Sequence, residues 1–235
     1  MIYECKGMVY MSFKKTRQEF IADLDNLQTK VSAMGERASQ AVEKSMRALV
    51  KGDKLLAHEV MREDDVIDDM IIGIEDDCIL LIAKQQPIAH DLRVIATGFK
   101  ISTDIERIGD HAFDIAKTTC DLETPLEGKC LSSVQELADC AERMVQKAMQ
   151  AYRARDVQLA DEVRHMDAEM DKVFARTFYV LSDYVKQSSD DNDHVTQLLF
   201  VARFLERIGD HAVNIAEWVI YLETAERIHS KKHAE

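Results

Sequence analysis

The sequence predicts an all-α protein made of two tandem, duplicated three-helix bundles. Three observations carry that expectation. The chain holds only 8 Gly and 2 Pro in 235 residues and has few strand-forming runs. Apolar residues recur at helical spacing: Leu24, Leu27, Val31, Met34, Ala38, Ala41, Val42, Met46 and Leu49, with Ser45 on the same stripe. The heptapeptide ERIGDHA occurs twice, at 106–112 and 206–212.

The duplication extends well beyond that string. Shifted by 103 residues, Ala38, Val42, Lys44, Met46 and Ala48 meet Ala141, Val145, Lys147, Met149 and Ala151. Asp53, Leu56, Ala57, Glu59 and Val60 meet Asp156, Leu159, Ala160, Glu162 and Val163. The offset falls to 100 at the ERIGDHA strings, so the difference lies between them, where Gln85–Pro87 stands against Gln187–Asp191.

Punctuation divides each half into three helices. The first spans about 14–50 and stops at Gly52, a residue suited to the left-handed turn after a helix. Asp53 caps a second helix that runs to about Lys84. Pro87 suits the start of a third, which ends near Cys120. Residues 121–129, with Pro125 and Gly128, separate the halves. The second half repeats the plan over about 132–154, 156–186 and 193–228, with Asp156 as cap and a frayed tail at 230–235. The expected repeats are 14–120 and 131–228. Short turns between long helices make neighbours antiparallel.

A net charge of −13 argues against nucleic acid, which needs a basic face, and against a permanent anionic-membrane patch. No 18-residue apolar run is present, and residues 1–11 lack the pattern of a secretion signal. Five cysteines without CxxC spacing (Cys5, Cys78, Cys120, Cys130 and Cys140) read as reduced thiols of a cytoplasmic protein.

The acids are the informative residues. Glu106 and Asp110, like Glu206 and Asp210, stand at i and i+4, which puts both carboxylates on one helix face about 40° apart. Like charges so placed repel, so a cation between them is the natural occupant. Asp64 with Asp68, and Asp167 with Asp171, form a second duplicated pair. Asp68 and Glu106 are equidistant from Pro87, as are Asp64 and Asp110, so an antiparallel hairpin sets all four level. In the second half the corresponding midpoint falls between Ser188 and Ser189. One site is thus expected at Asp64, Asp68, Glu106 and Asp110, and another at Asp167, Asp171, Glu206 and Asp210. Asp114 extends the first by a turn, and Asn214 is its neutral, oxygen-bearing counterpart. An oxygen-rich donor set suits magnesium, manganese, iron or calcium, with zinc a further option. The ordinary alternative is a solvated acidic face, against which the duplication and the level placement speak.

His111 and His211 follow each motif aspartate by one residue; they are edge ligands, supports behind the ligands, or plain surface residues. Gly109 and Gly209, costly in a helix, imply close approach of another helix or of a ligand cluster. Arg107 and Arg207 are expected to project away from the acids toward salt bridges with another helix.

At these motifs the chain resembles the PhoU family, regulators that accompany the high-affinity phosphate transporter. The similarity rests on Glu106–Asp110 with Asp114–Ile115, on Glu206–Asp210 with Asn214–Ile215, and on the QPIAHDLR stretch from Gln86 to Arg93. Asp114 departs from the commoner Asn. The resemblance implies multinuclear metal clusters on the acidic motifs, often iron, with zinc, manganese or magnesium as alternatives. It implies homodimers or larger oligomers. It also implies negative regulation of phosphate uptake and phosphate-starvation signalling, through the transporter's ATPase and a sensor histidine kinase, with the membrane reached only through those partners.

Two other functions compete. A di-metal carboxylate oxidase would need ExxH motifs on two helices. Glu162–His165 and Glu226–His229 match, but neither is duplicated or level with the acid pairs. A purely structural bundle would bind no metal. No nucleophile–base set, P-loop or dinucleotide fingerprint is present, so the expected protein is not an enzyme.

Overall fold

A computed structural model describes residues 2–122, 128–187 and 192–228, with the side chains of the first helix described from Arg17 onward. Six helices follow one another: α1 Ile2–Lys51, α2 Lys54–Gln85, α3 Ala89–Asp121, α4 Lys129–Ala154, α5 Val157–Gln187 and α6 Asn192–Thr224. Among the described residues there is no strand. Helices α1, α2 and α3 pack mutually, as do α4, α5 and α6. The two bundles join through α1 against α4 and α3 against α6, while α2 and α5 touch only their own bundle. That joint places the two ERIGDHA helices face to face.

The helix ends show the duplication in detail. Gly52 adopts φ +63, its N–H bonds the Leu49 carbonyl, and the Asp53 N–H bonds that of Ala48. The same closing turn recurs at Arg155 (φ +53) and Asp156, which bond Tyr152 and Ala151. Asp53 Oδ1 then accepts from the N–H groups of Leu55 and Leu56, and Asp156 Oδ1 from those of Gln158 and Leu159. An ion pair is duplicated too: Lys44 Nζ to Glu59 at 2.8 Å and Lys147 Nζ to Glu162 at 2.6 Å.

The α1 stripe read from the sequence is buried along its whole length, Ser45 included, where its hydroxyl donates to the Val42 carbonyl. The core is continuous across both bundles. Each large aliphatic side chain that it buries contributes about 1.5–3 kcal/mol.

Several boundaries differ from expectation. The α1 backbone is helical from Ile2, and α4 starts at Lys129. Helix α3 starts at Ala89 rather than Pro87, because Gln86 turns left-handed (φ +46) to close α2 and a residue before proline avoids the helical region. Helix α6 ends at Thr224 rather than 228: Ala225 takes φ +63, and its N–H bonds the Tyr221 carbonyl. The expectations for Pro125, Ser188, Ser189 and the 230–235 tail fall outside the described residues.

The QPIAHDLR stretch ties elements together. Asp91 pairs with Arg17 of α1 at 2.8 Å, and Arg93 Nε donates to the Leu222 carbonyl near the end of α6. Cys78, Cys130 and Cys140 are buried and Cys120 is half-buried, all as free thiols; Cys5 lies outside the described side chains. Among the described residues no helix is long and apolar enough to cross a membrane.

Candidate functional site

Close helix approach builds the site. At Gly109 a Cβ would stand 3.1 Å from Ile67 Cδ1 and 3.3 Å from Asp64 Oδ1. The bare backbone therefore lets α2 settle against α3 and brings Asp64 beside the motif. At Gly209 the same space is filled by Met170 of α5, the counterpart of Ile67, with a Cβ–Cγ separation of 3.2 Å. The close approach expected at these glycines is of a neighbouring helix.

The joint of α3 and α6 then encloses a cleft of about 670 Å³. Asp64, Asp110, Asp114, Asp210 and Asn214 line it, together with Arg107, Arg207, His111 and His211. Two sites were expected, one per repeat. The structure gathers members of both motifs on one cleft, because α3 and α6 pack against each other. Asp68 and Glu106 stand beside the first set. Asp167 is half-buried and Asp171 exposed on α5; Glu206 of α6 pairs with Arg203 at 2.7 Å.

Electrostatics confirm the crowding in the first repeat. Burial, then the charges of Asp68, Asp110, Asp65 and Glu106, push the Asp64 carboxyl up to about 6. Burial and Asp110 also raise Asp68, Glu106 and Asp114 above the usual carboxylate range. Such a cluster holds its negative charge at a cost that a cation relieves.

Two arginines meet part of that demand. Arg107 does not project away, as expected, but folds back on its own motif, with Nη1 2.8 Å from Asp110 and Nε 3.3 Å from Glu106. Its long stem lets the guanidinium reach the next turn. Arg207 lies close enough to lower the pKa of Asp114. Among the described residues no trio of His, Cys, Asp or Glu is arranged to hold a metal ion.

The histidines are not surface residues. His111 is buried and His211 half-buried, with ring centroids 5.9 Å apart across the joint. His211 Nδ1 lies 2.9 Å from Asp104 Oδ1, and the Asn214 amide donates to the same oxygen at 3.0 Å. The equivalent of Asp104 in the second repeat is Phe204, on which His111 stacks at 5.8 Å. Burial, then His211 and Arg207, depress His111 to about 4, so its ring is neutral near pH 7. This also explains the Asp114/Asn214 difference. An aspartate at 214 would face Asp104, whereas Asp114 has Arg207 near it and Phe204 opposite its neighbour His111. Sequence reasoning missed Asp104; the available signal was an acid in one repeat aligned with an aromatic in the other.

The ExxH residues serve other contacts. Glu162 pairs with Lys147, exposed His165 meets the Asp161 carbonyl, and His229 lies outside the described residues.

Fold and cleft together define a duplicated helical-bundle protein whose repeats each bring one acidic motif to a shared joint. Residues 31–119 and 134–219 both match the PhoU domain. The chain is 38% identical over 214 residues to the phosphate-specific transport system accessory protein PhoU homolog of Clostridium acetobutylicum, covering 91% of this chain and 98% of that one. It is 35% identical to the Rhizobium meliloti homolog, covering 91% of each. The crystal structure of PhoU from Pseudomonas aeruginosa superposes with a TM-score of 0.85 at 34% identity, over 88% of this chain and all (100%) of that one. The phosphate transport system regulatory protein PhoU from Streptococcus pneumoniae gives 0.83 at 25%, over 90% and 100%. The chain belongs to the PhoU family, a family of accessory proteins rather than enzymes.

Proposed function

We propose that this protein is a metal-binding, cytoplasmic regulator of phosphate homeostasis that acts by docking onto other proteins. When phosphate is plentiful it restrains uptake and phosphate-starvation signalling through the transporter's ATPase and a sensor histidine kinase. Family membership over nearly the whole chain carries this reading, since the relatives are named as accessory proteins of phosphate-specific transport. Docking, including homodimer formation, has apolar surface to use: Ile72, Ile79 and Leu80 on α2 and Phe178 and Tyr179 on α5 are exposed.

The metal reading is supported by the donor set. Asp64, Asp110, Asp114 and Asp210 line the cleft, with Asp68 and Glu106 beside it. Asp167, Asp171 and Glu206 hold the matching positions of the second repeat, and Asn214 offers an amide oxygen. The buried His111 Nδ1 has no hydrogen-bond partner and lies 3.8 Å from Asp114 Oδ2. Iron, zinc, manganese or magnesium held there would supply the positive charge that Arg107 now gives. The chain's own residues bring the carboxylates to one cleft; since no trio of them among the described residues is arranged around one point, their side chains would turn toward a bound ion.

Deleting the protein from its host should leave phosphate-starvation genes expressed in phosphate-rich medium, and resupplying it should silence them. Unchanged regulation after a clean deletion, with no paralogue present, overturns the docking reading. Elemental analysis of protein purified without chelator or nickel tests the metal; Asp110→Asn with Asp210→Asn together should lose most of it. A folded, metal-free double variant that still silences those genes makes the metal structural at most.

A further inference from the structure

A second pocket, of about 360 Å³, lies on the other side of the Asp104–Asn214 contact, between α3 and α6. Asp104, Glu217, Trp218 and Tyr221 line it, along with Lys100 and, at its rim, Arg227. Trp218 and Tyr221 stand edge to face, centroids 5.8 Å apart, and form an aromatic corner. The left-handed turn at Ala225 reverses the chain after α6 and brings Arg227 back over that corner. The Arg227 Cζ lies 5.2 Å from both ring centroids. This is the distance at which a guanidinium is attracted by an aromatic face.

The charges fit such an occupant. Asp104 and Glu217 outweigh Lys100 by one negative charge, which Arg227 balances. Both acids have other partners as well: Asp104 holds His211 and Asn214, and Glu217 Oε1 is 3.9 Å from Arg164 Nε. Arg227 itself is exposed and follows the last helix, so few contacts need to break for it to leave.

We infer that the Trp218–Tyr221 pocket is a recognition site for an arginine side chain of a partner protein, its aromatic corner covered in this state by the chain's own Arg227. A lysine ammonium has no flat face to lay on a ring and is more strongly hydrated, so arginine is favoured over lysine. The partner guanidinium would take the place of Arg227 and free residues 225–228. The pocket shares Asn214 with the histidine–aspartate cleft, and its Asp104 contacts His211 of that cleft, so an arginine seated here lies against the wall of the candidate metal site. The inference concerns a different pocket from the metal reading and stands independently of it.

Trp218 is the single tryptophan and reports directly on the pocket. N-acetyl-arginine amide is titrated into the unaltered protein and into Arg227→Ala while Trp218 fluorescence is followed. The expected result is a saturable change in Arg227→Ala, with at least tenfold higher affinity than in the unaltered protein. N-acetyl-citrulline amide, of similar shape but uncharged, should give no saturable change, and N-acetyl-lysine amide a weaker one. Tyr221→Leu in the Arg227→Ala background should lose the response while keeping the far-ultraviolet circular dichroism of a folded chain. Equal affinity in both proteins, equal response to citrulline, or no saturable response to arginine in Arg227→Ala overturns the inference and leaves Arg227 as a packing contact of the chain end.

Discussion

Asp64 stands half-buried on α2 opposite Gly109, with other acids as its nearest charged neighbours. Its carboxyl lies at about 6 against an ordinary 3.8. Between those values the folded chain holds a proton that the unfolded chain has released, so this group's contribution to stability falls as pH rises from about 4 through 6. Solvent screening at a half-exposed group leaves the cost at about 1 kcal/mol. Asp64→Asn should therefore raise the Tm of chelated protein by roughly 2–4 °C at neutral pH and change it little near pH 4. Calorimetry at the two pH values checks this; an equal gain at both would remove charge as the cause. The glycines allow a paired test. Gly109→Ala pushes a methyl against Ile67 and Asp64, and should cost about 1–2 kcal/mol net of its better helix propensity. Gly73→Ala meets nothing within 4 Å and should stabilise α2 by up to about 1 kcal/mol. Urea midpoints moving in the same direction would contradict the close-approach account. The sequence pointed to Gly109 because a glycine inside a helix needs a reason. It did not show the turn of Arg107, since a flexible five-donor side chain can reach several acids and spacing does not choose among them.

At the scale of elements, caps were legible and compensated turns were not. Asp53 and Asp156 were identifiable because an aspartate ahead of an apolar periodic run is a local signal. Each accepts two backbone N–H groups, so Asp53→Ala and Asp156→Ala should each cost about 1 kcal/mol. The two share no partner, so the double variant should show the sum; equilibrium denaturation of the three variants measures it. The left-handed residue before Asp156 carried no such signal. Gly52 adopts that conformation freely, but its counterpart is Arg155, which is held there by Gln28 of α1 through contacts of 2.9 and 3.3 Å. Gln28 Nε2 also donates to the Arg153 carbonyl at 3.2 Å, so one α1 side chain closes the end of α4. A contact from another repeat offsets the local strain, and no reading of neighbouring residues could supply it. The shared acidic cleft was hidden for the same reason. Spacing within each hairpin levels Asp64 with Asp110, but only the docking of α3 on α6 brings Asp110 and Asp210 to one cavity.

For the whole molecule, that docking makes the two repeats thermodynamically one body. The core runs without interruption from α1 into α4 and from α3 into α6. Gly35 of α1 stands directly against the buried Met149 of α4, and His111 of α3 stacks on Phe204 of α6. Separating the bundles would bare both contacts to water. Neither repeat should therefore melt by itself. Trp218 reports on α6 and its joint with α3, whereas far-ultraviolet circular dichroism reports on all six helices. The two signals should give coincident thermal transitions. Metal binding at a cleft lined by Asp110 and Asp210 should move both transitions upward together, since an ion that binds only the folded form stabilises whatever unfolds with its site. A cation held within one repeat of two independent domains would shift only that domain's transition. A dichroism curve resolved into two steps, with Trp218 following one of them and metal shifting one alone, would show that the joint between α3 and α6 is too weak to couple the motifs.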